Sequence, residues 1–143
     1  MRFIIRGNQE NPLGNPMGYM RTTYRSKWTK KYGRYRAWKS YVWVSLCSEY
    51  LEKPRYIDKV FCDIRIWYVD NRRSDPDNIL KGIIDSLSDY KSRLYTHQRL
   101  WPTDRNVVGR VIDFDFDKEN PRVEVEIQES DWRELHHEKY NSS

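Results

Sequence analysis

The sequence predicts an α+β fold, a mixed α/β domain in which one small mixed sheet of about four strands is flanked by two or three helices. Three observations predict it. Val60, Cys62, Ile64, Ile66 and Tyr68 share one parity, with Asp63 and Arg65 between them, which is the signature of a strand with one buried face. Leu80, Ile83, Ile84 and Leu87 then repeat at helical spacing, as a helix lying on that sheet would. Two further strand-like segments follow near the C-terminal end.

Taken in order, Arg2 to Arg6 reads as a short strand and Gly7 to Gly18, punctuated N-P-L-G-N-P, as a loop. The segment 19–39 is rich in Tyr, Trp, Lys and Arg and has no clean period in its first half, which suggests an extended basic arm or hairpin. From about Tyr35 to Glu52 the apolar residues Trp38, Val42, Leu46 and Tyr50 recur in four-residue steps, a helix that Pro54 ends. The strand over Tyr56 to Val69 and the helix after it come next. Residues 88 to 105 lack periodicity and read as a polar loop. Asn106 to Asp117 and Pro121 to Gln128 read as strands joined by the turn "DKENP", hence as an antiparallel hairpin. The tail, 130–143, is polar, with Trp132 and Leu135 as anchors for one short helix. With no repeat and no long linker, residues 1–143 form a single domain.

Composition narrows the function. The chain has 26 Lys and Arg against 21 Asp and Glu, a net charge of +5, which favours a polyanionic partner. The charge is also segregated: residues 1–45 hold ten basic residues against the single acid Glu10, whereas 111–143 hold four against ten. Six Trp and eleven Tyr, many of them inside the basic segment, suit stacking on nucleic acid. Arg25, Lys27, Lys30, Lys31, Arg34 and Arg36 are the arm's candidate phosphate contacts. Cys47 and Cys62 are too few for a zinc site or a disulfide framework. No stretch is apolar enough for a signal-peptide core or a membrane span, so the expectation is a cytoplasmic, intracellular protein with no membrane partner. His97, His136 and His137 lack spaced partners, and the row Asp113, Asp115, Asp117 reads as the solvated face of a strand.

The chemistry concentrates in "NRRSDPDNILKGIIDSL", residues 71–87. Asp75 before Pro76 is a good helix start, with proline at the first helical position and Asp77 favoured by the helix dipole. A cap alone does not explain why Asp77, Lys81 and Asp85 fall four residues apart on one polar helix face. Arg72 and Arg73 stand just upstream, where they can meet phosphates, and the preceding strand delivers the acidic turn to a sheet edge. Asp104, just before the next strand, can return to the same end. Hard carboxylate oxygens of this kind suit Mg²⁺, which takes one or two carboxylates and completes its shell with water and substrate phosphate. Lys81 would stabilise charge developing on that phosphate.

"RRSDPDNILKGIIDSL" resembles the signature of the RusA family of Holliday-junction resolvases: a basic stretch, Asp-x-Asp-Asn, a Lys three residues on and an Asp four residues later. Here these are Asp75, Asp77, Asn78, Lys81 and Asp85, and "PTDRNVVGRVIDF" puts Asp104 where the family has its further aspartate. The resemblance implies a homodimeric, Mg²⁺-dependent endonuclease, with Mn²⁺ as a substitute ion, that cuts four-way DNA junctions by paired symmetric incisions. It implies Asp75, Asp77, Asp104 and Lys81 as the catalytic set, the three aspartates as metal ligands, and Asn78 and Asp85 in support. It also suggests a phage or prophage origin. Two departures stand out: the loop from Ser88 is longer than the family's and lacks Gly, which leaves Asp89 as an alternative third acid, and the start "NPLGNPMGYM" replaces a proline-rich one. Two other classes remain open at this point, a module that binds branched or single-stranded nucleic acid without cutting it, and a merely capped structural domain.

Overall fold

The structure, a computed structural model, describes residues 1–21, 29–53, 55–88 and 100–129. Four strands, β1 (Arg2–Arg6), β2 (Val60–Tyr68), β3 (Val107–Phe116) and β4 (Arg122–Glu129), form one mixed sheet in the order β1-β4-β2-β3. Two helices, α1 (Lys30–Cys47) and α2 (Pro76–Ser88), pack together, and a short 3-10 turn, Asp104–Asn106, leads into β3. This is the expected α+β class.

The buried side of the sheet follows from parity. Phe3 and Ile5 of β1, the even-numbered residues Val60 to Tyr68 of β2, and Val123, Val125 and Ile127 of β4 are all but fully buried. They meet Trp38, Val42 and Leu46 of α1 and Ile79, Ile83 and Leu87 of α2 in one core. Burial of this many large apolar side chains is the main stabilising term of the fold. The opposite face is covered by its own charges: Arg2 pairs with Glu126 at 3.2 Å, Arg110 with Asp63 at 2.7 Å, and the Arg122 guanidinium lies 3.9 Å from the Trp67 ring centre.

Three expectations are corrected. The segments β3 and β4 are not a hairpin, because β4 pairs antiparallel with both β1 and β2, and β3 pairs parallel with β2 on its other side. The reason lies in burial: β4 fills a central position with three buried branched residues, whereas β3 is an edge strand whose outer residues stay exposed. The turn after β3 therefore steps across the end of β2, with the Asp117 N–H donating to the Tyr68 carbonyl (2.8 Å), and β2-α2-β3 is a βαβ unit. Second, the helix starts at Lys30 rather than near Tyr35, so the end of the basic segment before Tyr35 is helical and not extended. Thr29 caps α1, its hydroxyl accepting from the Tyr32 N–H (3.2 Å), and the helix ends at Cys47, short of the expected Glu52. Third, the loop after α2 is not polar throughout. Leu100 and Trp101 are fully buried, with the Leu100 N–H donating to the Leu87 carbonyl (3.0 Å) and Trp101 Nε1 to Ser88 Oγ (2.6 Å). The expected strand Arg2 to Arg6 and the stripe of α2 stand as read, and Cys47 and Cys62 are both free.

The free edge of β3 has its own closure. The Phe114 N–H donates to Asp113 Oδ1 (2.8 Å) and the Phe116 N–H to Asp115 Oδ1 (2.7 Å). The acidic row is thus edge capping and turn chemistry, Asp117 accepting from the Glu119 and Asn120 N–H groups. Among the described residues no helix is long and apolar enough to cross a membrane.

Candidate active site

The acidic motif is presented by a turn that two distant segments hold. After β2, Asn15 of the N-terminal loop reaches across: its Oδ1 accepts from the Val69 N–H (2.7 Å), and its Nδ2 donates to Asp70 Oδ1 (2.9 Å) and to the Arg72 carbonyl (2.7 Å). The Arg72 N–H, then the Asn15 amide, hold the Asp70 carboxyl below the usual carboxylate range. Tyr68 Oη donates to the Ser74 carbonyl (2.8 Å), fixing the last residue before the motif. Asp75 then starts α2, its carbonyl accepting from the Asn78 (3.0 Å) and Ile79 (3.1 Å) N–H groups with Pro76 as the first helical residue.

From there α2 lays Asp77, Lys81 and Asp85 along one open cleft of about 340 Å³. The shared face expected from the four-residue spacing is real. Asp104 lines the same cleft from the 3-10 turn before β3, where the Thr103 hydroxyl accepts from the Arg105 N–H (3.3 Å) and Asn106 Nδ2 donates to the Ile57 carbonyl (3.1 Å). Gly109 lets helix and strand approach, since a Cβ there would lie 2.6 Å from Ile84 Cδ1. Two carboxylates far apart in sequence, Asp77 and Asp104, thus meet on one cleft with the Lys81 ammonium. Neither carboxylate has an ion-pair partner among the described residues.

Asp75 is placed differently from the expectation. It is outside the cleft lining, on the Tyr68 side of the turn, where burial first raises the Tyr68 hydroxyl and the Asp75 charge adds to that rise, against the lowering by Arg73. Among the described residues no three His, Cys, Asp or Glu converge closely enough to hold a metal ion, so Asp75, Asp77 and Asp104 do not form a three-carboxylate cluster. The physical reason is the helix start itself: a residue before proline is disfavoured from the helical region, so Asp75 stands outside α2, whereas Asp77 is the second residue of that helix.

Asp85 is engaged elsewhere. Tyr35 Oη donates to Asp85 Oδ2 (2.7 Å) and Lys39 Nζ lies 3.3 Å from the same oxygen, tying α1 to α2. Burial first, and Asp85 second, push the Tyr35 hydroxyl well above the usual phenol range. Asp85 is therefore a partnered support of the cleft wall. Tyr35→Phe is expected to cost about 1–2 kcal/mol of stability by deleting a hydrogen bond to a charged group, with junction binding unchanged. A urea melt beside a gel-shift titration checks both.

The basic residues divide into bound and available. Arg34 forms two hydrogen bonds with Glu10 (2.8 and 3.1 Å), Arg72 pairs with Asp70 at 3.4 Å while remaining 93% exposed, and the Arg73 guanidinium lies over Tyr68 (4.7 Å), Phe114 (5.0 Å) and Phe116 (5.8 Å). Arg34, Arg72 and Arg73 nevertheless line one groove of about 280 Å³, next to Ser74. Lys30 and Lys31 are exposed in the first turn of α1, where the helix dipole disfavours cations and no acid accompanies them. Arg36 is exposed on the same helix, 6.0 Å from the Tyr32 ring centre. Arg25, Lys27, Asp89 and the three histidines lie outside the described residues, as does the tail from Ser130.

Sequence reasoning missed Tyr19, Tyr35 and Lys39 beside the cleft, and Asn15 and Asp70 beneath the motif. Nothing in their local pattern marks them, because each acts on a residue distant in the chain.

An acidic cleft with an ammonium group on its wall, beside an arginine-lined groove, is the equipment of an enzyme that works on phosphodiesters. Residues 13–128 match the family model for Endodeoxyribonuclease RusA, and the chain belongs to that family. It is accordingly an endodeoxyribonuclease of the Holliday-junction-resolving kind, a family whose activity generally depends on a divalent metal. A search among curated proteins finds no match.

Proposed function

We propose that the chain resolves four-way DNA junctions by paired, symmetric phosphodiester hydrolysis at the cleft between α2 and β3, with Mg²⁺ as its ion. The observation that carries this reading is the meeting of Asp77 and Asp104 with Lys81 on one cleft. The donor set fits a hard cation: exposed carboxylate oxygens, not spent on ion pairs among the described residues, with room for water and a phosphate oxygen. In this reading Asp77 and Asp104 hold the ion, and Asp75 fixes the start of the helix that carries Asp77. Bound there, the ion would supply charge neutralisation at the phosphate and help to generate the attacking nucleophile.

The chain's own residues do the rest. Lys81 directs N–H donors at the phosphate where negative charge grows. Arg34, Arg72 and Arg73, with Lys30, Lys31 and Arg36 on α1, bind and orient the strand through its backbone, and this sequence-independent term weakens with salt. A junction has two-fold symmetry, and two coordinated incisions need two equivalent sites, which a homodimer with C2 symmetry provides.

The test is a labelled four-way junction incubated with protein and Mg²⁺, with and without chelator. Nicks at symmetric positions in two opposed strands, absent with chelator, are the expected result. Tight, salt-sensitive binding with no Mg²⁺-dependent product would instead identify a binding module that does not cut.

A further inference from the structure

We infer that Tyr19 is a positioning residue for the Lys81 ammonium, holding the cation over its ring at the cleft. This rests on the reading above, in which Lys81 serves the phosphate.

The Lys81 Nζ lies 4.3 Å from the Tyr19 ring centre, within the range of a cation–π contact. The ring is itself held on two sides. Its backbone is clamped to the start of α2: the Tyr19 N–H donates to the Asn78 carbonyl (2.9 Å), and Asn78 Nδ2 donates to the Tyr19 carbonyl (3.3 Å). This gives Asn78 of the acidic motif a defined task. The approach is possible only because the neighbours lack side chains. A Cβ on Gly18 would lie 2.6 Å from Ser74 Oγ and 2.7 Å from Asn78 Nδ2, and one on Gly82 would lie 3.1 Å from the Tyr19 nitrogen. On its other side the ring meets Tyr35 edge-on, with centroids 5.8 Å apart at 81°, and Tyr35 is anchored on Asp85.

The choice of partner is informative. Lys81 has aspartates four residues away in both directions, Asp77 and Asp85, yet it forms an ion pair with neither among the described residues. A carboxylate partner would fix the ammonium by occupying its donors and cancelling its charge. An aromatic face fixes it through the ring quadrupole while leaving its N–H donors free. A long, flexible stem thereby delivers an uncancelled charge to one place beside Asp77 and Asp104, all of which line the same cleft with Tyr19.

The experiment measures single-turnover cleavage of a saturating junction with Mg²⁺, and junction affinity in its absence, for the full chain. Tyr19→Leu is expected to lose roughly tenfold or more in rate, as misplacement of a reacting group does, with affinity unchanged. Tyr19→Phe, which keeps the ring, recovers the rate. Mono-, di- and pentafluorinated phenylalanine at position 19 preserve shape while draining the ring's charge, so the rate should fall with fluorine content. They keep the question answerable if Tyr19→Leu does not fold. A rate indifferent to fluorination, a Tyr19→Phe as slow as Tyr19→Leu, or a loss wholly in affinity would overturn the inference. Lys81→Ala separates the two levels. Full activity in that variant removes the catalytic reading of Lys81 itself, whereas a slow Lys81→Ala beside a fast Tyr19→Leu removes only the role of Tyr19.

Discussion

Asp77→Asn is expected to lose roughly a thousandfold or more in Mg²⁺-dependent cleavage while still binding the junction, because it removes one of two carboxylates able to hold the ion. The substitution is nearly isosteric and lies at an exposed position in the first turn of α2, so packing has little to lose. Its structural cost is confined to the favourable interaction of an acid with the helix N-terminus, about 0.3–1 kcal/mol. Affinity measured by gel shift without Mg²⁺ should hold or rise slightly, since a negative charge leaves a surface that faces phosphate. Cleavage within about tenfold of the parent would remove Asp77 from the site, the scale of effect expected when a residue only supports metal ligands.

Asn15→Ala is expected to cost about 2–3 kcal/mol of stability, since it deletes three short hydrogen bonds and a longer one to the Asp70 carbonyl and strands the Val69 N–H. That corresponds to a fall in melting temperature on the order of 10 °C. Asn15→Asp should be worse, because it sets a carboxylate against Asp70 and a carbonyl where donors are needed. The change also has a pH signature. Asp70 is held below its ordinary value in the folded protein, so its contribution is complete above the unfolded value and is lost as pH falls through the lowered one. Removing Asn15 removes one cause of that lowering and should flatten the acid limb of the stability curve. Melts across the acid range on both proteins give the answer, and a variant as stable and as acid-sensitive as the parent would refute it.

The elements that are legible in the sequence are those whose signal is local. The alternation through β2 gives its buried face, and the stripe of α2 together with Asp75-Pro76 gives the helix and its start, because each depends on neighbours within one or two turns. The face shared by Asp77, Lys81 and Asp85 is legible for the same reason, and the meeting with Asp104 follows once β3 is known to lie beside α2. The order of the strands is not legible this way. A short turn between β3 and β4 favours a hairpin locally, and only the competition among four strands for central places puts β2 between them. Asp75 shows the limit at the scale of one residue: a motif aligns it with Asp77, but only Asp77 lines the cleft. Leu100 and Trp101, too, sit in an unpatterned stretch and are buried by a core that no window of sequence contains.

One consequence of the β3 edge concerns association. Asp113 and Asp115 already occupy the Phe114 and Phe116 N–H groups that an incoming strand would seek, so this half of the strand offers those two donors to no ladder. The half-exposed rings of Phe114 and Phe116 beside it are therefore available only to contacts made by side chains. A second copy meeting this region would recognise it by shape and side-chain chemistry, whereas a stray extended segment finds two of the N–H donors it needs taken. The open sheet edge is thus short of donors, which makes it selective about what it pairs with.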